Sequence, residues 1–462
     1  MSSTTGIRST TVAPAAVILP NRGQAYYTVG VLLIAYIFSI MDRQILTLLV
    51  GPIQQSLQVN DSWMGVLHGF TFAAFYSLVG LPIARLIDRG NRRWVITVGI
   101  GLWCIATAAG GLASEFWHLL LARIGVAVGE AVLLPGAVSL ISDLFPAEKR
   151  GRALGVFGTG ASFGVGAGLL ATGLVLGYFT EHPLTLPGLG LLQPWQTTLM
   201  SIGLPGLLVL LLMAGVPEPR SRKNAMGVKP QARTDVPLRE VLAYLRENRR
   251  TFAALFLGAG CFYAAVYGSG GWVPTYLVRE FGWSYARVGA LMGAIMCVCG
   301  PLGVVIASWL GEYWRNRGVS NGNLRVALIA CILLALVSVP LLLASSLERA
   351  IPFLVLATLL WTSLFGVGAA LIVEVSPAPM RGQFMAMFTG VLNLLGAGCG
   401  PVFMGLLTDY VFKDPHAIKY SILYVSLIAC ALAALLFCSA WSSFRHTAQN
   451  ALQWEARRAL HP

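Results

Sequence analysis

A chain of 462 residues that is 56% hydrophobic and only 11% charged, with a mean hydropathy of +0.72, is not a string of soluble domains, which carry roughly 25% charged residues. The formal net charge of +13 would suit a nucleic-acid binder, but the basic residues fall in alternate loops between apolar stretches, so the charge reads as membrane topology and no nucleic-acid partner is expected. The eight cysteines all lie in apolar segments, where cysteine serves as a small hydrophobe rather than a metal or disulfide ligand.

In chain order, residues 1–26 form a polar tail with no apparent cleavable signal sequence. Taking about 20 apolar residues per crossing, twelve spans are expected, at 27–50, 63–87, 94–114, 117–144, 151–179 and 195–216, then 251–278, 286–311, 323–346, 350–376, 381–411 and 419–442. The first six make an N-terminal bundle over 27–216 and the last six a C-terminal bundle over 251–442. A linker at 217–250 joins them, and a tail at 443–462 follows. The fold class is therefore an all-α integral membrane protein of two pseudo-symmetric six-helix bundles.

The first span carries Tyr36, Ser39, Arg43 and Thr47 on one polar stripe, with Asp42 at its edge. A helix facing lipid would not carry that stripe, because a charge at mid-bilayer costs on the order of 3 kcal/mol. His68 in the second span is either a proton relay or a packing histidine. The fourth span holds Arg123 and Glu130, seven residues apart and so on nearly one face, about 10 Å apart along the axis. The first and fourth spans run in opposite directions, so the two charge pairs fall at similar depth and can meet. Their charges sum to zero. A static ion-pair network is the structural alternative, although apolar replacements of such networks are often neutral or better.

Glycines crowd the fifth span (Gly155, Gly158, Gly160, Gly164, Gly166, Gly168) and the eleventh (Gly396, Gly398, Gly400). They read as close-packing faces between the bundles. The linker holds nine Lys and Arg residues and ends in an amphipathic stretch with Leu238, Val241, Leu242 and Leu245 on one face, led by Asp235 and Pro237. A helix on the inner membrane surface, in contact with lipid headgroups, is expected there. Tyr263 and Tyr267 in the seventh span, Trp361 in the tenth and Asn393 in the eleventh are candidates to line the C-terminal half of a cavity.

Two stretches repeat. Asp143-Leu-Phe-Pro-Ala-Glu-Lys-Arg150-Gly151 precedes the fifth span, and Glu374-Val-Ser-Pro-Ala-Pro-Met-Arg381-Gly382 precedes the eleventh, at an offset of 231. Asp143, Arg150, Glu374 and Arg381 are thus candidate gating residues in a duplicated six-helix unit. With both termini placed in the cytoplasm, 25 of the 32 Lys and Arg residues lie in cytoplasmic segments or at the cytoplasmic ends of the spans. The compact loops suggest a bacterial inner membrane.

Loop 2–3 reads Ala84-Arg-Leu-Ile-Asp88-Arg89-Gly90-Asn91-Arg92-Arg93. It resembles the G-x-x-x-D-R-x-G-R-R signature of the major facilitator superfamily, with Ala for the first Gly and the second Gly one place early. Together with Asp42-Arg43, Gly129-Glu130-Ala131 and Asp143-Leu-Phe-Pro146, it is similar to the Spinster-like branch of that superfamily. The resemblance implies a conformational latch at Asp88, Arg89, Arg92 and Arg93, whose acid sits against a neighbouring helix N-terminus. It also implies an anionic amphiphile, lysophospholipid-like, as substrate; a small organic acid such as a sugar acid or aromatic acid is the alternative, as in the neighbouring anion:cation symporter branch.

On the residues' own chemistry, Asp42 and Glu130 are proton-carrying candidates, and Arg43 and Arg123 are anion-clasping ones, with Tyr36, Ser39, His68, Tyr263, Tyr267, Trp361 and Asn393 around them. Protonating one or both acids leaves the site at +1 or +2 and frees an arginine for a carboxylate or phosphate. Symport and antiport both remain open. The expectation is a monomeric secondary transporter with the proton as coupling ion and no other cofactor. A non-transporting receptor is the reading from another class. No phosphate-binding loop of G-x-x-x-x-G-K-[ST] form and no enzymatic constellation is found.

Overall fold

The computed structural model describes residues 21–188, 190–219, 236–319 and 321–460. The tail before residue 21 and most of the basic part of the linker, with Asp235, lie outside the described residues.

Twelve helices among the described residues are long and apolar enough to cross a membrane: α1 (Arg22–Leu57), α2 (Asp61–Gly80), α3 (Arg92–Gly110), α4 (Phe116–Leu144), α5 (Glu148–Glu181), α6 (Pro194–Met213), α7 (Arg249–Phe281), α8 (Tyr285–Asn316), α9 (Gly322–Leu342), α10 (Leu347–Val375), α11 (Ala378–Phe412) and α12 (Pro415–Arg458). Each coincides with an expected span. The chain end differs: α12 runs on as one helix well past residue 442, so most of the expected tail is helical and packs back, with Glu455 accepting the Ala378 amide.

Several helices are interrupted for legible reasons. In α4 the helix breaks at Ala131–Val132, because Pro135 has no N–H to give the Ala131 carbonyl four residues back. In α2 a π-helical turn covers Val66–Phe70, and α11 contains two, at Leu392–Cys399 and Leu407–Phe412. Such turns widen the helix locally and occur mostly at functional positions.

The linker helix, Leu238–Glu247, docks on the C-terminal bundle. Its buried residues are Val241 and Tyr244, whereas Leu238 and Leu242 are exposed. Tyr244 donates to the Val375 carbonyl at 3.0 Å, which a purely hydrophobic reading of the stripe overlooks. The membrane face carrying this helix is called the linker side below, and the other the far side.

The bundles touch on the far side and part on the linker side. A Cβ at Gly65 would stand 2.7 Å from the Pro401 carbonyl oxygen, and one at Gly173 2.8 Å from that of Tyr285, so these glycines let α2 meet α11 and α5 meet α8 at backbone distance. Toward the linker side, Gly80, Gly151, Gly155, Gly158, Gly382 and Gly390 would meet nothing within 4 Å. The apolar cores repeat the pattern: the C-terminal cluster takes in Leu46, Leu48–Val50, Ile53, Met64, Leu67 and Leu176 from the far halves of the first bundle, while two separate clusters fill the rest of that bundle. The central space thus opens to the linker side.

Candidate functional site

Asp42 and Arg43 are neighbours on α1 and so point about 100° apart. Each finds the opposite charge on α4. Arg43 Nε donates to Glu130 Oε2 at 2.6 Å, and Ser39, one turn nearer the linker side, donates to the same oxygen at 2.9 Å. Arg123 Nη1 lies 3.7 Å from Asp42 Oδ2, and Thr107 on α3 donates to Asp42 Oδ1 at 2.6 Å. Arg123 Nη2 reaches the Arg43 carbonyl at 3.4 Å, so the two pairs form one network.

Within the network the four residues are not equivalent. The Arg43 side chain is 27% exposed, the Glu130 side chain 0%, and those of Arg123 and Asp42 are 7% and 5%. Arg43 therefore faces the central space and covers Glu130, while the Asp42–Arg123 pair lies inside the N-terminal bundle. Two aromatic rings of α2 flank the Arg43 guanidinium, Phe72 at 4.5 Å and Tyr76 at 5.0 Å, and Phe72 also lies 5.0 Å from Arg123. Cation–π contacts of this kind hold a guanidinium plane in place without using its hydrogen-bonding capacity. The bond to Glu130 uses Nε, leaving the terminal nitrogens free of that pairing.

Around this core, Tyr36 stacks on Phe157 at 4.8 Å. Tyr267 of α7 comes within electrostatic range of Arg43, Tyr76 and Tyr36, so it faces the same space from the C-terminal bundle. Tyr263 is buried, with its ring 5.2 Å from Phe365 and 5.7 Å from Tyr267. Trp361 is buried in α10, and Asn393 is half-buried in the first π-helical segment of α11. His68 lies in the π turn of α2 against Gly271 of α7, and both its ring nitrogens are buried without a hydrogen-bond partner among the described residues.

On the linker side Arg92 is the centre of the expected latch. It is fully buried and donates to Asp143 at 2.8 Å, to Glu218 at 2.7 Å and to the Ser139 carbonyl and hydroxyl at 3.1 Å. The Arg93 amide also donates to Glu218. In the second half, Asn323 donates to Glu374 at 2.6 Å, at the same 231 offset as Arg92–Asp143. Arg315 adds an ion pair to Glu374 at 3.6 Å, and Arg381 donates to the Ser376 carbonyl. Asp88, Arg89 and Arg150 are exposed.

An acid set against a neighbouring helix N-terminus, the kind of contact expected of Asp88, also occurs on the far side. Asp409 of α11 accepts the backbone N–H groups of Asp61 and Ser62, at 3.3 and 2.6 Å, at the N-terminus of α2. Arg279 of α7 forks onto both Asp61 carboxylate oxygens, at 2.9 and 2.8 Å, and onto Gln54 at 2.8 Å. These bonds join the two bundles.

The sequence reading did not single out Thr107, Phe72, Tyr76, Glu218, Arg279, Asp61 or Asp409. Glu218 had a signal, an acid between two prolines where α6 ends, and so did Phe72 and Tyr76, four apart on a span. Thr107 had none.

The profile of the Major Facilitator Superfamily matches residues 32–369. The chain is 27% identical over 398 residues to an MFS-type efflux pump of Mycolicibacterium smegmatis, covering 86% of each. It is 25% identical to the sphingosine-1-phosphate transporter SPNS2 of Mus musculus, over 88% of this chain and 74% of that one. Among solved structures, a bacterial homolog of the human lysosomal transporter Spinster, inward-facing and unoccupied, superposes with a TM-score of 0.74 at 23% identity, over 94% of this chain and 99% of the other.

Proposed function

The chain belongs to the major facilitator superfamily and is similar to its Spinster-like branch, and from that premise we propose that it is a proton-coupled secondary transporter of an anionic amphiphile. The single observation that carries the reading is the Arg43–Glu130 pair: a guanidinium open to the central space, held by a carboxylate that is not. A proton arriving at Glu130 Oε2 removes the acceptor for both Arg43 and Ser39. Arg43 then offers its fork to a carboxylate or phosphate headgroup, and the site stands one positive charge higher. The aromatic surroundings, Tyr36, Phe72, Tyr76 and Tyr267, suit an amphiphile's apolar part better than a sugar acid's hydroxyls. Sphingosine-1-phosphate, the substrate in the mouse relative's name, has this anionic amphiphile chemistry.

The chain would work as a monomer, since one chain supplies both bundles, by rocking one against the other. The Lys and Arg bias supports placing the termini and the linker helix in the cytoplasm with Leu238 and Leu242 toward lipid, and the compact loops suit a bacterial inner membrane. Only the proton is needed as coupling ion.

Reconstitution in proteoliposomes tests this. Glu130→Gln should lose proton-driven accumulation while counterflow exchange survives. Full gradient-driven transport by Glu130→Gln would sink the coupling role. Thermal stabilisation by lysolipids, but not by sugar acids or aromatic acids, is the expected pattern for the substrate class. Stabilisation without any flux would favour a receptor.

A further inference from the structure

Asp42 belongs to a second space, separate from the central one. A pocket inside the N-terminal bundle is lined by Asp42 and Leu46 of α1, Thr107 and Gly110 of α3, Leu119, Ala122 and Arg123 of α4, and Leu199 of α6. Ala106 and Val126 close it on the linker side of Asp42, and the remaining walls extend toward the far side. Gly110 is the last residue of α3, Leu119 is in the first turn of α4, and Leu199 is in the second turn of α6. All three mark the far side, one to two helical turns beyond Asp42. The pocket thus leads from Asp42 toward the face on which the bundles are sealed.

Its inner end holds polar atoms that make no hydrogen bond among the described residues. Apart from the 3.7 Å ion pair between Asp42 Oδ2 and Arg123 Nη1, Asp42 Oδ2 and Arg123 Nε are buried without a hydrogen-bond partner among the described residues, and their side chains are 5% and 7% exposed. With the Thr107 hydroxyl, they give three polar groups converging on one apolar-walled space. A bound water requires two to four such partners, roughly. The other titratable groups facing Asp42 are Arg43 on α1, Cys104 on α3 and Glu130 on α4, while α6 contributes only Leu199.

We propose that this pocket is a water-binding access site through which Asp42 exchanges its proton with the far compartment while the central space is open to the linker side. The proposal rests on the reading of Asp42 as a proton carrier. Hydronium entering the pocket gives its proton to Asp42 Oδ2 and stays as water. Each acid keeps its own guanidinium, Asp42 with Arg123 and Glu130 with Arg43. Those two positive charges oppose direct passage of a proton from one acid to the other, as an arginine does in a water pore.

Filling the pocket tests the route. A Cβ at Gly110 would find its nearest neighbours, Ala122 and Leu119, at 3.4 Å, so Gly110→Ala fits, and Ala122→Val fills more. Both should reduce proton-driven uptake several-fold and leave counterflow exchange at the parent level. Driven uptake at the parent level in both variants overturns the proposal. A parallel loss of uptake and exchange is decided by Ala122→Cys, with the unsubstituted chain as thiol control. Labelling by an impermeant methanethiosulfonate from the far side supports the route, and no labelling overturns it. Asp42→Asn tests the premise separately: lost proton-driven uptake upholds it whatever the fillers do, and retained driven uptake removes premise and route together.

Discussion

At the scale of single residues, the division of labour among the four charges follows from exposure. Arg43 and Arg123 have the same side chain, yet Arg43 is 27% exposed and faces the central space whereas Arg123 is 7% exposed and lies inside the bundle. Arg43 is also held between Phe72 and Tyr76. Lysine at this position would keep the charge but lose the planar fork and the stacking. Arg43→Lys is therefore expected to weaken substrate binding by about tenfold or more, roughly 1.4 kcal/mol, without unfolding the protein. Equilibrium binding and a melting curve on the same sample check both halves. A Kd equal to that of the parent would show that Arg43 contributes as a point charge only. Thr107 illustrates what a list of residue types misses: one hydroxyl among many on apolar helices, distinguished only by lying 2.6 Å from a buried acid.

At the scale of helices, glycines record which surfaces are in use. Gly65 and Gly173 are already committed to close contact on the far side. Gly155 and Gly158 on α5, and Gly382 and Gly390 on α11, face open space, although they continue the same small-residue faces. Small faces on mobile bundles are useful when they pack in the alternate state. Gly158→Leu should accordingly leave this conformation undisturbed and obstruct closure of the linker side. Spin-label distances across that side should stay long when substrate is added, whereas in the parent a shorter population should grow. A shortening equal to the parent's would show that Gly158 is not part of a closing surface. The latch is read at this scale as well. Arg92 ties the start of α3 to the ends of α4 and α6 through Asp143 and Glu218, so it holds these helix ends together within the N-terminal bundle.

At the scale of the whole molecule, the far side is joined by Arg279 with Asp61 and Gln54, and by Asp409 with the N-terminus of α2. Asp61 is nearly fully buried, so its partner cannot leave without a cost: removing one member of a buried pair typically costs about 3–5 kcal/mol. That energy is available to only one of the two states, and losing it shifts the population between them. Arg279→Ala is expected to favour separation on the far side. The readout is faster labelling by an impermeant thiol reagent at a cysteine introduced at Thr47, which lines the space under this contact with Arg279. Unchanged labelling would assign the closed far side to apolar packing instead.

The twelve spans, their pairing into two halves and the candidate charges were legible in the chain itself, because hydropathy and charge are properties of each residue and sum along the sequence. The 231-residue repeat extended further than the motif that revealed it, since Arg92–Asp143 and Asn323–Glu374 also obey it. The pairing pattern was not legible. That Asp42 meets Arg123 and Arg43 meets Glu130 depends on how α1 and α4 are rotated against each other. That rotation is set by the packing of whole faces, not by any one residue. Nor could the sequence tell which glycines are in contact, that Asp409 caps the N-terminus of α2, or that Asp42 opens onto a pocket of its own. The sequence determined what must be shielded from lipid; only the tertiary structure decided which partner shields it and which side of the membrane it faces.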